Sequence, residues 1–210
     1  MQIQLDKVGK KFTGREWILK DIDCVFEKGQ SYAITGNNGS GKSTLIQIVS
    51  GMMPMSRGSV KYMMDAGEMP SEDVFREISF AAPYLDLIEE FSLSEMLDFH
   101  FKFKKPYKGI SRNELIKVMY LEKSIDKKVQ DFSSGMKQRL KLGLAFYSDV
   151  GITLLDEPTS NLDKFGMDWY QEHIRKVKND RILIIASNQS SEYEFCNCVY
   201  HIEQSKMSIV

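Results

Sequence analysis

An α/β fold with a mostly parallel sheet, antiparallel strands near its amino end and an inserted helical segment is predicted by three features of this 210-residue sequence. Short all-apolar runs of strand length recur ("SYAIT", "ITLLD", "ILIIA"); they alternate with stretches of helical apolar spacing; and a glycine-rich turn joins the first run to a helix. Strands apolar on both faces need cover on both sides, and ligands on such sheets gather at the carboxyl ends of the strands.

Taken in order, "IQLDKV" places Ile3, Leu5 and, after a slip, Val8 on one side of a strand, and "IDCVFEKG" is a second strand ending at a glycine turn. "SYAIT" is a buried strand that runs into "GNNGSGKST" and then "LIQIVSG", where Leu45, Ile48 and Val49 share a helical face and Gly51 closes the helix. "SVKYMM" and "EISFAA" are strands. A helical stretch over 94–130 breaks near "KKPYKG", at Pro106 and Gly109. Ser133 is placed to cap the helix of "SSGMKQRLKLGLAFYS". "GITLLDE" is a buried strand, "GMDWYQEHIRKV" an amphipathic helix, "RILIIAS" another buried strand, and "VYHIE" and "MSIV" are short closing strands. The expected division is one domain over 1–210, with a core of 1–82 and 136–210 and a helical subdomain over about 83–135.

Composition narrows the function classes. Apolar residues make up 42% and charged residues 27%, and a formal net charge of −1 supplies no excess of Lys and Arg for a phosphate backbone, so nucleic acid is not an expected partner. No run approaches the roughly 18 apolar residues of a membrane span. The start "MQIQLDKVGKKF" lacks the apolar centre of a secretory signal, and the expected setting is soluble and intracellular. Cys24, Cys196 and Cys198 form no CxxC pair and are read as reduced thiols; His100, His173 and His201 stand singly, in contexts of core or surface placement rather than metal binding.

Two motifs carry chemistry. "GNNGSGKST" matches G-x-x-x-x-G-K-[ST] through Gly36, Gly41, Lys42 and Ser43, and it lies between a strand and a helix, as a phosphate loop requires. Residues Gly36, Asn37, Asn38, Gly39, Ser40, Gly41, Lys42, Ser43 and Thr44 are the candidate nucleotide cradle: backbone N–H groups and the helix dipole favour an anion, and Lys42 adds a point charge. "ITLLDEP" delivers Asp156 to a strand's carboxyl end, where with Ser43 it is a candidate Mg²⁺ holder, and Glu157 beside it is the candidate base for a water attacking a γ-phosphate. These features define a P-loop NTPase core of RecA-like type, with ATP and Mg²⁺ as its cofactors.

"DFSSGMKQRL" resembles the signature of the ABC (ATP-binding cassette) ATPases, usually L-S-G-G-Q, with Phe132, Ser133, Ser134, Gly135 and Met136 in its places. Gly135 stands 21 positions before Asp156, "SNLD" at 160–163 is similar to the family's D-loop ending in Asp163, and Phe12 lies where the family puts an aromatic that stacks on adenine. The resemblance spans essentially the whole chain and implies an ATPase subunit of an ABC transporter. That subunit dimerises head-to-tail, with one copy's Ser133, Ser134 and Gly135 gripping the ATP held by the other's phosphate loop. It energises an integral membrane transporter subunit on another chain, from the cytoplasmic face of the membrane. The compact helical part and "GMKQRLKLGLAF" are more similar to the cassettes of exporters.

Two departures stand out against the family pattern. The place of a glutamine after "EISFAA" falls on Pro83, which has neither a side-chain oxygen nor an N–H, and the place of a histidine after "RILIIAS" falls on Asn188. Asn188 is thus read as a catalytic position filled by a neutral donor, with hydrolysis slowed on the order of 10–100-fold. The resemblance also implies a groove for a partner helix, with Tyr84, Leu85, Leu87 and Phe91 as anchors or else as ordinary core residues. An ATP-gated regulatory subunit with little turnover, and a non-transport ABC ATPase, remain as alternatives.

Overall fold

The computed structural model describes residues 1–210 except 13, 15, 66, 204, 205 and 210. Among the described residues, ten strands form two sheets. The first is antiparallel, in the order β2 (Leu19–Glu27), β1 (Gln2–Lys10), β4 (Arg57–Met64) and β5 (Gly67–Met69). The second runs β10 (Lys206–Ile209), β9 (Cys198–Glu203), β3 (Ser31–Thr35), β8 (Ile182–Ala186), β7 (Ile152–Asp156) and β6 (Ile78–Ala81). All its neighbours are parallel except β9 and β10. Val210, the last residue of the predicted "MSIV" strand, lies outside the described residues.

Every residue of β3, β7 and β8 is buried, as their unbroken apolar runs demand of central parallel strands. Because side chains alternate across a strand, the sheet divides its apolar residues between two cores. Ile182, Ile184 and Ala186 join the core shared with the antiparallel sheet and α1 (Lys42–Val49), whereas Leu183 and Ile185 join the core of the helical side. That second core is built with α2 (Leu93–His100), α3 (Arg112–Val118), α4 (Ser134–Phe146) and α5 (Lys164–Val177). Residues of α2 and α3 thus pack in the same cluster as Leu155 of β7. Truncating one such fully buried Leu or Ile to Ala costs about 2–5 kcal/mol.

The segment expected as one broken helix over 94–130 is shorter in helix and richer in turns. Capping boxes start both helices, Ser92 with Glu95 and Ser111 with Glu114, and α3 ends at Val118. Tyr120 takes a positive φ of 55° and the chain continues to residue 131 through two short 3₁₀ turns, so helical apolar spacing there reflects packing rather than an α-helix. Strand β5 and the one-turn α6 (Ser190–Tyr193) were too short to leave a periodic signal.

Two histidines turn inward, His173 buried and His100 half-buried. His100 Nε2 meets the Ser148 hydroxyl at 2.8 Å, and His173 Nδ1 meets the Tyr147 hydroxyl at 2.6 Å. Burial, with Lys104 adding to it for His100 and Lys176 for His173, pushes both imidazoles down to about 4 from an ordinary 6.5. The unfolded chain therefore binds more protons between those values, so stability is full above about pH 6.5 and is lost as pH falls toward 4. The urea midpoint should decline across that window, and it should decline less steeply in a His100→Asn/His173→Gln variant; equal slopes in the two proteins would refute the assignment.

Candidate active site

The register of three adjacent strands builds the site. Ile34 of β3 pairs with Ala186 of β8, and Ala186 pairs with Asp156 of β7, so the three carboxyl ends lie side by side. The phosphate loop leaves β3, Asp156 ends β7 with Glu157 just after it, and Asn188 follows β8 between them.

The chain leaves β3 at Gly36 with φ 141°, where a Cβ would stand 2.5 Å from the Ile202 carbonyl oxygen, so the turn admits only glycine. Lys42 at the start of α1 is buried, and its Nζ donates to the carbonyl oxygens of Gly36 (2.8 Å) and Asn37 (3.3 Å). Burial lowers the ammonium's proton affinity, while Glu157 and Asp156 pull it the other way. The Ser40 hydroxyl is buried with no hydrogen-bond partner among the described residues, a donor held ready in the cradle. A cavity of about 290 Å³ opens here, lined by the loop together with Phe12, Ser43, Thr44 and Glu157. Phe12 is 55% exposed, and Lys10 Nζ lies 5.1 Å from its ring centroid.

Asp156 is 1% exposed. Burial raises its carboxyl above the usual range, opposed by the neighbouring Ser43 and Tyr84 hydroxyls and by Lys42. Its Oδ2 accepts from the Tyr84 hydroxyl at 3.1 Å, and its Oδ1 is buried without a partner. An orphaned carboxylate oxygen beside a serine hydroxyl is a hard oxygen donor pair that fits Mg²⁺. No cluster of three or more His, Cys, Asp or Glu arranged for a metal occurs among the described residues, so phosphate and water oxygens would complete the octahedral shell. Glu157 is exposed and takes φ 43° while its N–H donates to the Ala186 carbonyl oxygen at 2.9 Å. A left-handed conformation in a non-glycine residue costs about 1–3 kcal/mol and is what turns this side chain off the strand onto the cavity.

Asn188 is exposed and bridges the phosphate loop: its Oδ1 accepts from the Gly36 N–H (3.3 Å) and its Nδ2 donates to Asn38 Oδ1 (3.1 Å). The signature residues lie on the opposite flank of the Glu157 turn. Ser133 and Ser134 are exposed, Ser133 Oγ caps α4 by accepting from the Met136 N–H (3.3 Å), and Gln138 Nε2 donates to the Pro158 carbonyl oxygen (2.7 Å). Asp163 is the N-cap of α5, accepting from the Gly166 N–H at 2.8 Å.

One site residue escaped the sequence reading, and one expected set divides. Glu192, fully buried, accepts from the Thr159 N–H at 2.8 Å and contacts its hydroxyl, tying the turn after Glu157 to the segment after Asn188. No local signal marks it, because its partner Thr159 lies 33 positions away in the sequence. Of the four groove anchors, Leu85 and Leu87 line a second cavity of about 290 Å³, but Phe91 packs edge-on against Phe99, and Tyr84 turns to Asp156 because its hydroxyl finds a carboxylate there.

The sequence matches the family model described as ABC transporter over residues 19–160. It is 31% identical to the uncharacterized ABC transporter ATP-binding protein YybJ of Bacillus subtilis, over 97% of this chain and 91% of that protein. It is 32% identical to the lantibiotic transport ATP-binding protein SrtF of Streptococcus pyogenes, over 88% and 80%. The fold superposes on the dimeric bacterial ABC transporter cassette MJ0796 with a TM-score of 0.84 at 20% identity, covering 98% of this chain and 96% of that one. With a phosphate loop, an Asp156–Glu157 strand end and a serine-capped signature helix on this one fold, the chain belongs to the ABC transporter family and carries its ATP-binding domain.

Proposed function

We propose that this chain binds and hydrolyses ATP as the energising subunit of an ABC transporter, closing head-to-tail with a second copy around two ATP molecules and driving a separate integral membrane subunit. Its setting is the cytoplasmic face of the membrane, held there by that subunit; no described helix is long and apolar enough to cross a membrane. The observation that carries the reading is one cavity lined by the loop's Lys42 and Ser43, the aromatic Phe12 and the carboxylate of Glu157. Names of relatives point the same way: SrtF is a lantibiotic transport ATP-binding protein, and MJ0796 is a dimeric cassette.

The residues divide the work as follows. N–H groups of the loop and the start of α1 receive the β-phosphate, and Lys42 exchanges the Gly36 and Asn37 carbonyl oxygens for phosphate oxygens. Ser43 and Asp156 hold Mg²⁺, which when bound neutralises charge on the β and γ phosphates. Glu157 orients the attacking water and takes its proton. Ser133 and Gly135 of the second copy donate to the γ-phosphate at a helix start, where Ser133 is exposed and Gly135 half-buried.

Turnover is slow in this reading, because Asn188 offers one neutral amide and that amide is already bonded to the phosphate loop. The same contacts favour a second reading, an ATP-gated subunit that dimerises and barely hydrolyses. Glu157→Gln should lower steady-state hydrolysis at least 100-fold, the share of a general base, while ATP binding persists and the ATP-bound dimer accumulates in light scattering; unchanged hydrolysis would sink the assignment. Asn188→His should raise the rate about 10–100-fold, and a rate that stays level or drops would show that the amide is not the weak element.

A further inference from the structure

We propose that the Tyr84 hydroxyl is the positioning group for the Asp156 carboxylate. The inference rests on the reading of Asp156 as a Mg²⁺ holder and adds a residue that neither the phosphate-loop pattern nor the signature contains.

The geometry is specific. Asp156 has two carboxylate oxygens in a buried setting; Oδ1 has no partner among the described residues, and Oδ2 is held by Tyr84 Oη at 3.1 Å. That hydrogen bond holds the carboxyl group by Oδ2 and leaves Oδ1 without a partner, with the Ser43 hydroxyl beside the same carboxylate. Outer partners of this kind set the orientation of a ligating oxygen, and losing one costs about 10–100-fold in metal affinity. Tyr84 is itself oriented: its ring meets Phe80 edge-on with centroids 6.3 Å apart, and the Gln47 side chain of α1 lies beside its hydroxyl. Pro83, just before it, has no N–H and no polar side chain, so the phenol is the polar group this turn presents.

The segment that carries Tyr84 is itself held: Lys141 Nζ donates to the Pro83 carbonyl oxygen at 3.4 Å, so the phenol reaches Asp156 from an anchored base.

The test uses the full-length chain with a non-hydrolysable ATP analogue and Mn²⁺ as the metal probe, read by the electron paramagnetic resonance of free Mn²⁺. Tyr84→Phe keeps the ring and removes only the oxygen; Mn²⁺ affinity of the analogue-loaded protein should fall on the order of tenfold, with analogue binding in EDTA unchanged. Hydrogen exchange supplies a second readout: Mn²⁺ should alter exchange at the amides of 84–88 in the wild type and leave them unaltered in Tyr84→Phe. Unchanged Mn²⁺ affinity overturns the proposal, and so does an equal loss of analogue binding without metal, which would mark a merely structural role. If the wild type itself fails to bind the analogue, or binds it as well after Lys42→Ala, the nucleotide site is what fails, and that outcome is separate.

Discussion

Parallel pairing of β3, β8 and β7 is the constraint on which the rest of this molecule depends. The alignment of Ile34 with Ala186 and of Ala186 with Asp156 brings three chain reversals to one edge. A one-residue slip of a strand would turn all its side chains to the other face, sending Leu183 and Ile185 into the core of Ile182 and Ile184. Apolar burial on both faces resists that slip, and the same burial fixes where Asp156 and Asn188 emerge. Hydrophobic packing thus sets the accuracy of a polar site.

The site is expensive in local terms. Lys42 and Asp156 are charged groups taken out of water, Glu157 holds a left-handed backbone conformation, and the Ser40 hydroxyl and Asp156 Oδ1 are buried without partners. Such features persist where the surroundings over-determine them, and here those surroundings are strands with every residue buried. What is unsatisfied in the protein alone matches what a nucleotide and Mg²⁺ bring: an anion for the loop's donors and a cation for the free carboxylate oxygen.

Ordered contacts also join parts of the site that are far apart in sequence. Gln138 ties the signature helix to the turn after Glu157 through the Pro158 carbonyl, Glu192 ties that turn to the segment beyond β8, and Asn188 ties that segment back to Gly36 and Asn38. The phosphate loop, the turn after Glu157 and the signature helix are therefore neighbours through hydrogen bonds made outside the sheet ladder. Tyr84 adds the segment after β6 to this set through its hydrogen bond to Asp156.

Local spacing alone determined much of this. The loop from Gly36 to Ser43 announces itself because its function needs glycines and a lysine at set intervals; β7 and β8 are legible because a doubly buried strand must be apolar throughout; and Ser133 is legible because a helix start needs a cap. Helical spacing over 119–131 misled, since packing against a shared core imposes a similar periodicity on 3₁₀ turns. Which face Tyr84 takes, that Glu192 is buried under Thr159, and that Asn188 spends its amide on the phosphate loop were decided only by tertiary structure. Each depends on groups 33 to 152 positions apart meeting in space, and no periodicity within one segment encodes such a meeting.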